Sequence, residues 1–176
     1  MLELHLVRHT SVDVAPGICY GQTDVPLSPT FEQEALEVMS QIKDTRYDGV
    51  YSSPLSRCTC LSAYCGYTDP ILDDRLMEMN FGKWEGIHWD DNLDPRLSSW
   101  FGNWIEERTT GGESFRDLCI RAALFIDDLL KHKDQKLLIF THAGFIRATW
   151  VTLERVAPNQ AFNQKVAYGQ RVVFTL

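Results

Sequence analysis

Leu4-His5-Leu6-Val7-Arg8-His9-Thr10 decides how this chain is read. An apolar run that stops at turn residues has the form of a buried strand. This one delivers an arginine and a histidine together at its carboxyl end. Open α/β sheets bind ligands just beyond the carboxyl ends of their strands. A guanidinium beside an imidazole at that edge suits an anion, most economically a phosphate attacked by the imidazole.

Outward from this strand the same form recurs twice. Gly49-Val50-Tyr51-Ser52 is a short strand that stops at Ser53-Pro54, with Arg57 one turn into the helix that follows. Lys136-Leu137-Leu138-Ile139-Phe140-Thr141 is a strongly apolar strand that ends at His142, where Ala143-Gly144 turns the chain and a helix is expected over residues 145–153. In a parallel sheet these ends lie along one edge, so two histidines and two arginines converge there. The first turn of a helix also favours anions, which suits Arg57's setting. Taken singly, His9 reads as a satisfied or solvated histidine and Arg57 as half of a surface ion pair. Agreement among three strand ends outweighs those readings.

Residues 10–27 contain Pro16, Gly17, Gly21 and Pro26 and form a long loop over the first strand end. Ser28-Pro29 is expected to cap the next helix, with proline at its first position. Its apolar stripe is Ala35, Leu36, Val38, Met39 and Ile42. Ser53-Pro54 repeats the signal before Leu55, Cys58, Leu61 and Cys65. Residues 70–76 are expected to be extended, 77–86 irregular and 94–108 partly helical. Residues 114–131 form an amphipathic helix through Leu118, Ala122, Phe125, Ile126, Leu129 and Leu130. The tail, residues 166–176, carries Gly169-Gln170 between apolar runs and is expected to be a hairpin at the sheet edge. This alternation implies an α/β three-layer sandwich: a mostly parallel sheet, helices on both faces and an antiparallel edge.

With 176 residues and 44% hydrophobic content, the chain is expected to form one domain over residues 1–176. A formal charge of -7 and a pI near 5.2 argue against a nucleic-acid partner, which needs a basic face. A small phosphorylated metabolite asks less, because a few focused arginines dominate the local field. No stretch approaches the ~18 apolar residues of a membrane span, and no basic segment precedes the first strand as in a secretory signal. The cysteines, Cys19, Cys58, Cys60, Cys65 and Cys119, are odd in number and form no C-x-x-C pair. A reduced, cytoplasmic setting with buried thiols is expected. Cys58-Thr59-Cys60 lacks clustered ligands for a metal. Zinc on His9, His142 and Glu78 is disfavoured by two arginines in the same cleft. No metal and no cofactor are therefore expected. His5 is expected on the opposite side of its strand, and His88 and His132 at the surface.

Five blocks in order resemble the histidine phosphatase superfamily, also called phosphoglycerate mutase-like, over nearly the whole chain. They are Leu6-Val7-Arg8-His9-Thr10, Ser52-Ser53-Pro54-Leu55-Ser56-Arg57, Leu76-Met77-Glu78-Met79-Asn80-Phe81-Gly82-Lys83-Trp84-Glu85-Gly86, Gly111-Gly112-Glu113-Ser114 and Thr141-His142-Ala143-Gly144. The resemblance implies a metal-independent phosphomonoesterase with the matching fold. His9 would be the nucleophile that forms a phosphohistidine. Arg8, Arg57 and His142 would hold the phosphoryl oxygens, and Glu78 would move the proton. Glu113 would touch substrate or support the site, with capping of the following helix as its alternative reading. Thr10, Tyr20, Gly21, Gln22, Thr23 and Ala143 are the further candidates for substrate contact.

Residues 16–28 and Phe81-Gly82-x-Trp84-Glu85-Gly86 are similar to the corresponding parts of alpha-ribazole phosphatases, which implies action on alpha-ribazole 5'-phosphate in cobalamin biosynthesis. The alternatives are a broad sugar-phosphate or phosphoglycerate phosphatase or mutase, and a catalytically inactive phosphoprotein-binding module. The modest segment between Gly86 and Gly111 favours a phosphatase over a mutase. Aromatic residues from Trp84 to Trp104 either cover a flat base or belong to the core. The chain departs from the family pattern at Phe31 and Glu34, where glycine and glutamine are frequent, and at Cys58-Thr59-Cys60-Leu61-Ser62-Ala63. The oligomeric state is not readable from one chain.

Overall fold

A computed structural model describes residues 1–131 and 133–176. His132, expected at the surface, lies outside the described residues. β1 (Glu3–Arg8) is buried through its middle because apolar side chains face both ways. α1 (Phe31–Ile42), β2 (Gly49–Ser52), α2 (Ser56–Tyr64) and the short β3 (Ile71–Leu72) follow, then α3 (Leu97–Asn103) and α4 (Phe115–Leu129). The remaining elements are β4 (Lys136–Thr141), α5 (Ala143–Thr152) and β5 (Arg171–Thr175). The sheet order is β3-β2-β4-β1-β5, with every pairing parallel except that of β5 with β1.

Side chains alternate across strands β1 and β4 and so supply both outer layers. Val7, Leu138 and Phe140 pack with Ala35, Val38 and Ile42 of α1 and with Cys58 and Leu61 of α2. Leu4, Leu6, Leu137 and Ile139 face α4 and α5 through Leu118, Phe125 and Phe145. Each of these large apolar side chains contributes roughly 1.5–3 kcal/mol when fully buried. The three-layer sandwich follows from this two-sided burial.

Register places the strand ends together. Arg8 lies opposite Thr141 and Ser52 opposite Phe140. The first residues past the strands continue the ladder, His9 N–H donating to Thr141 O at 3.0 Å and Ser53 N–H to Phe140 O at 2.9 Å. His9, Ser53 and His142 therefore emerge side by side.

Several local expectations differ from the structure. α1 starts at Phe31 rather than Pro29, and the Ser28 hydroxyl accepts from Thr30 N–H without capping the helix. Leu36, expected on the buried stripe, is exposed. α2 starts at Ser56 because the Ser53 hydroxyl is paired with His142 Nε2 at 2.8 Å, and the carboxylate of Asp24 caps the helix from across the loop. Only Ile71–Leu72 of residues 70–76 is strand, and Asp74–Leu76 closes into a 3-10 turn capped by Asp73. α5 begins directly at Ala143, so Ala143-Gly144 is its first turn. Cys60 is exposed on α2, unlike the buried Cys58. His5 is buried against Tyr47 and Glu3, and His88 is half-buried over Gly17.

The tail forms no hairpin. β1 already pairs with β4 on one side and has a single free edge, which β5 fills. Residues 166–170 instead wrap the strand end, with Arg8 N–H donating to Gln170 O and Gly169 N–H to His9 O. This wrapping brings Tyr168 to the site. No helix among the described residues is long and apolar enough to cross a membrane.

Asp24→Ala removes the acceptor for both Ser56 N–H, at 2.9 Å, and Ser56 Oγ, at 2.7 Å. Loss of such a cap costs about 1 kcal/mol. Urea unfolding of this variant should show a lower midpoint with unchanged slope, and an unaltered midpoint would remove Asp24 as the cap of α2.

Candidate active site

A cavity of about 260 Å³ opens over the carboxyl ends of β1 and β4. Arg8, His9, Tyr20, Glu78 and Arg147 supply much of its polar wall, and Ala143 lies beside them. Phe81, Trp89, Phe115, Leu118 and Phe162 line the apolar side.

His9 sits at the floor. Its Nδ1 lies 2.7 Å from Thr10 O, a partner that only accepts, so Nδ1 carries the proton and Nε2 keeps its lone pair. Burial, reinforced by the charge of Arg57, lowers its pKa to about 3. The ring is therefore neutral at physiological pH. Arg8 donates to Val166 O at 2.6 Å and stacks on the Tyr168 ring at 3.7 Å, while its Nε is buried without a partner. Thr10 Oγ1 is likewise buried and unpaired. Unsatisfied polar atoms of this kind are rare in finished interiors and mark places where a ligand completes the bonding.

His142 and Arg57 form a layer behind His9. The two imidazole rings meet edge-on at 5.1 Å. Arg57 Nε donates to His142 Nδ1 at 3.3 Å, which leaves the proton on Nε2, facing Ser53 Oγ. Burial holds the His142 pKa well below its usual value, and the neighbouring cationic side chains push the same way. The remaining Arg57 nitrogens donate to Gly21 O and to Thr23 O, the latter at 3.0 Å. Arg57 and His142 are thus fully buried and do not line the cavity.

The loop that receives Arg57 is held by Glu85. Its carboxylate accepts from Gln22 N–H at 2.9 Å, Thr23 N–H at 2.6 Å and Phe81 N–H at 3.0 Å, as well as from the Thr23 hydroxyl. Those donors lower the Glu85 pKa against the opposing effect of burial. Gly21 is required by close approach, since a Cβ there would lie 2.0 Å from Met79 O.

Glu78 reaches the cavity between these groups and the start of α5. Oε1 accepts from Met79 N–H at 2.9 Å and Oε2 from Gly144 N–H at 3.1 Å. A Cβ on Gly144 would stand 2.0 Å from Oε1. Glycine at that position lets the carboxylate lie against the helix.

Among the residues singled out from sequence, Arg8, His9, Tyr20, Glu78 and Ala143 meet at the cavity, with Arg57 and His142 directly behind. Thr10 lies beside His9, whereas Gly21, Gln22 and Thr23 belong to the loop holding Arg57. Glu113 faces away, accepting from Asn80 N–H and pairing with Arg121 at 2.8 Å, while Ser114 caps α4 in a capping box with Asp117. Phe81 and Trp89 face the cavity, and Trp84 is core. Arg147 and Phe162 were not anticipated. Arg147 carries a readable signal, lying one helical turn beyond Ala143 on the helix that begins after His142.

The model of the histidine phosphatase superfamily (branch 1) matches residues 4–176. The chain belongs to this superfamily. Phosphoserine phosphatase 1 of Hydrogenobacter thermophilus is 29% identical over 162 residues, covering 87% of this chain and 76% of that protein. The alpha-ribazole phosphatase of Shigella flexneri superposes with a TM-score of 0.89 at 24% identity, covering 97% and 89% of the two chains, a likeness of fold. A mutant phosphoserine phosphatase of Entamoeba histolytica in complex with phosphoserine superposes with a TM-score of 0.86 at 25% identity, covering 99% and 91%. The sheet of this histidine phosphatase is the mixed, mostly parallel one expected from its sequence.

Both site imidazoles titrate below their ordinary value in the folded protein. As pH falls below about 6.5 the unfolded chain takes up these protons first, so stability is lost on acidification, by up to about 1.4 kcal/mol per pH unit for each ring. Nuclear magnetic resonance of the free protein should show no midpoint for His9 or His142 between pH 5 and 8. A titration near pH 6.5 for either ring would contradict the buried, neutral pair.

Proposed function

We propose that this histidine phosphatase hydrolyses phosphomonoesters through a phosphohistidine on His9. The carrying observation is the His9 Nδ1 contact to Thr10 O, which leaves Nε2 as the free lone pair at the cavity floor, beside the unpartnered Arg8 Nε. In the first step Nε2 bonds to phosphorus as the ester P–O bond breaks, and Glu78 protonates the departing oxygen. In the second step Glu78 takes a proton from water, the water oxygen attacks phosphorus, and the N–P bond breaks to release phosphate. Arg8 binds phosphoryl oxygens directly. Arg57 and His142 join it when Arg57 exchanges a loop carbonyl for a phosphoryl oxygen, adding bidentate charge stabilisation.

The finer reading from the loop is action on alpha-ribazole 5'-phosphate in cobalamin biosynthesis. The aromatic wall of Phe81, Trp89, Phe115 and Phe162 supports it, since a flat apolar base fits such a wall. A second reading, a small phosphorylated acid, is supported by the phosphoserine phosphatase of Hydrogenobacter thermophilus. A small phosphorylated metabolite is common to both.

His9→Ala should abolish turnover of an aryl phosphate, and activity at the wild-type level would falsify the nucleophile assignment. Acid quenching of wild type during turnover of labelled substrate should trap label that is lost in acid and kept in alkali. An acid-stable adduct would point to another nucleophile. Glu78→Gln should slow alkyl phosphates about a hundredfold or more, the range of general acid catalysis, and aryl phosphates less. Equal loss for both would remove Glu78 as the acid.

A further inference from the structure

Two tyrosines from opposite ends of the chain meet at the site arginines. The ring centre of Tyr168 lies 3.7 Å from the guanidinium carbon of Arg8 and 5.7 Å from the His9 ring. Tyr20 stands 5.6 Å from the guanidinium carbon of Arg57. The two hydroxyls are hydrogen-bonded at 3.1 Å, across 148 positions of sequence. One bridge therefore joins the tail, which touches Arg8, to the loop, which holds Arg57. Burial and the neighbouring hydroxyl push the Tyr20 pKa up, so it stays a hydroxyl able to make this bond at physiological pH.

The backbone on either side of Tyr168 is fixed. Gly169 N–H donates to His9 O at 3.1 Å, and Gly169 O accepts from Gln41 Nε2 at 3.0 Å. Ala167 N–H donates to Gln170 Oε1 at 2.7 Å. Gly169 has a φ of 68°, and a Cβ there would stand 3.0 Å from Val38, so the turn takes glycine. The Arg8 side chain is held by much less. Among the described residues it makes one hydrogen bond, to Val166 O, and its Nε has no partner. A ring stacked on the face of a guanidinium leaves its edge free, where all the donors lie.

We propose that Tyr168 is a positioning residue for Arg8, and that its hydroxyl bridge to Tyr20 clasps tail and loop together so that the guanidinium is set in place before a phosphoryl group arrives. This inference rests on Arg8 binding the phosphoryl oxygens. Tyr168 acts through Arg8 alone: attraction between the cation and the ring face holds the guanidinium in one plane. Ordering that would otherwise accompany binding is then complete beforehand. Tyr168 is exposed, so its ring needs the Tyr20 hydroxyl to keep it from swinging outward.

Calorimetry with inorganic phosphate tests this without turnover. Tyr168→Leu removes the ring and should weaken phosphate binding about three- to thirtyfold, the range of a cation–π contact. Tyr168→Met replaces the leucine variant if the latter does not fold. Tyr168→Phe keeps the stack and loses only the bridge, so it should retain most of the affinity. Tyr20→Phe should match it, and the two phenylalanines together should bind no more weakly than either alone. Arg8→Met should weaken binding by itself, and adding Tyr168→Leu to it should bring no further loss. An affinity unchanged by Tyr168→Leu would overturn the proposal. So would an equal loss with and without Arg8→Met, which marks a general structural effect, and additive losses from the two phenylalanines would remove the clasp. Full turnover in His9→Ala, with the phosphate affinities as expected, would instead sink the phosphohistidine reading alone.

Discussion

The parallel pairing of β1 with β4 is the constraint on which the site depends. With Arg8 opposite Thr141 and His9 N–H bonded to Thr141 O, the two imidazoles have no freedom to separate. A slip of one residue would turn each side chain to the other face of the sheet, moving Val7 and Leu6 between layers as well. The hydrophobic pattern therefore enforces the register that brings His9 and His142 together. Packing of Leu4 and Leu6 toward α4 and α5, and of Val7 toward α1, is the same event as the alignment of His9 with His142.

That alignment creates a problem which the loop solves. Arg57 is brought beside two buried neutral imidazoles with no carboxylate partner among the described residues, and burying an unpaired charge costs several kcal/mol. Two backbone carbonyls, Gly21 O and Thr23 O, and one imidazole nitrogen satisfy its donors. A loop presenting carbonyls inward must have its amides bound from outside, and Glu85 accepts two of them, from Gln22 and Thr23. Asp24, at the end of the same loop, caps the helix carrying Arg57. The loop and the arginine thus order one another.

Much of this was legible because strand ends and polar blocks coincide in the sequence. Residues 4–9, 49–53 and 136–142 each carry their own period and their own stop, and such local signals survive folding. The helix start expected at Ser53-Pro54 is displaced for a tertiary reason, since the Ser53 hydroxyl pairs with His142, 89 residues away in the chain, whereas that at Ser28-Pro29 is displaced locally, the Ser28 hydroxyl pairing with Thr30. The tail was misread as a hairpin because Gly169-Gln170 has turn chemistry, but only the sheet's edge count shows that β1 has room for one more strand. Glu113 illustrates the same limit. Its Gly-Gly-Glu-Ser block marks a helix start correctly, while its pairing with Arg121 depends on how residues 77–80 cross α4. Arg147 was overlooked because its helix was expected to start later, which obscured the turn it shares with Ala143.

How an acidic chain builds an anion site is answered by where its carboxylates are engaged. Glu34 accepts from Ser11 and Thr30, Glu85 from the loop amides, Glu113 from Asn80 and Arg121, and Asp24 from Ser56. Each is bound by protein donors at the periphery, so none enters the cavity wall. Glu78 is the exception, held by two backbone amides with its remaining lone pairs directed to the cavity. Both histidines, meanwhile, are kept neutral by burial and by adjacent guanidinium charge. The positive field at the strand ends therefore comes from arginines alone, which do not lose their charge at any physiological pH. Net charge says little about such a site. What matters is that the other carboxylates are tied outside it, the imidazoles are kept neutral, and one carboxyl, that of Glu78, faces the cavity.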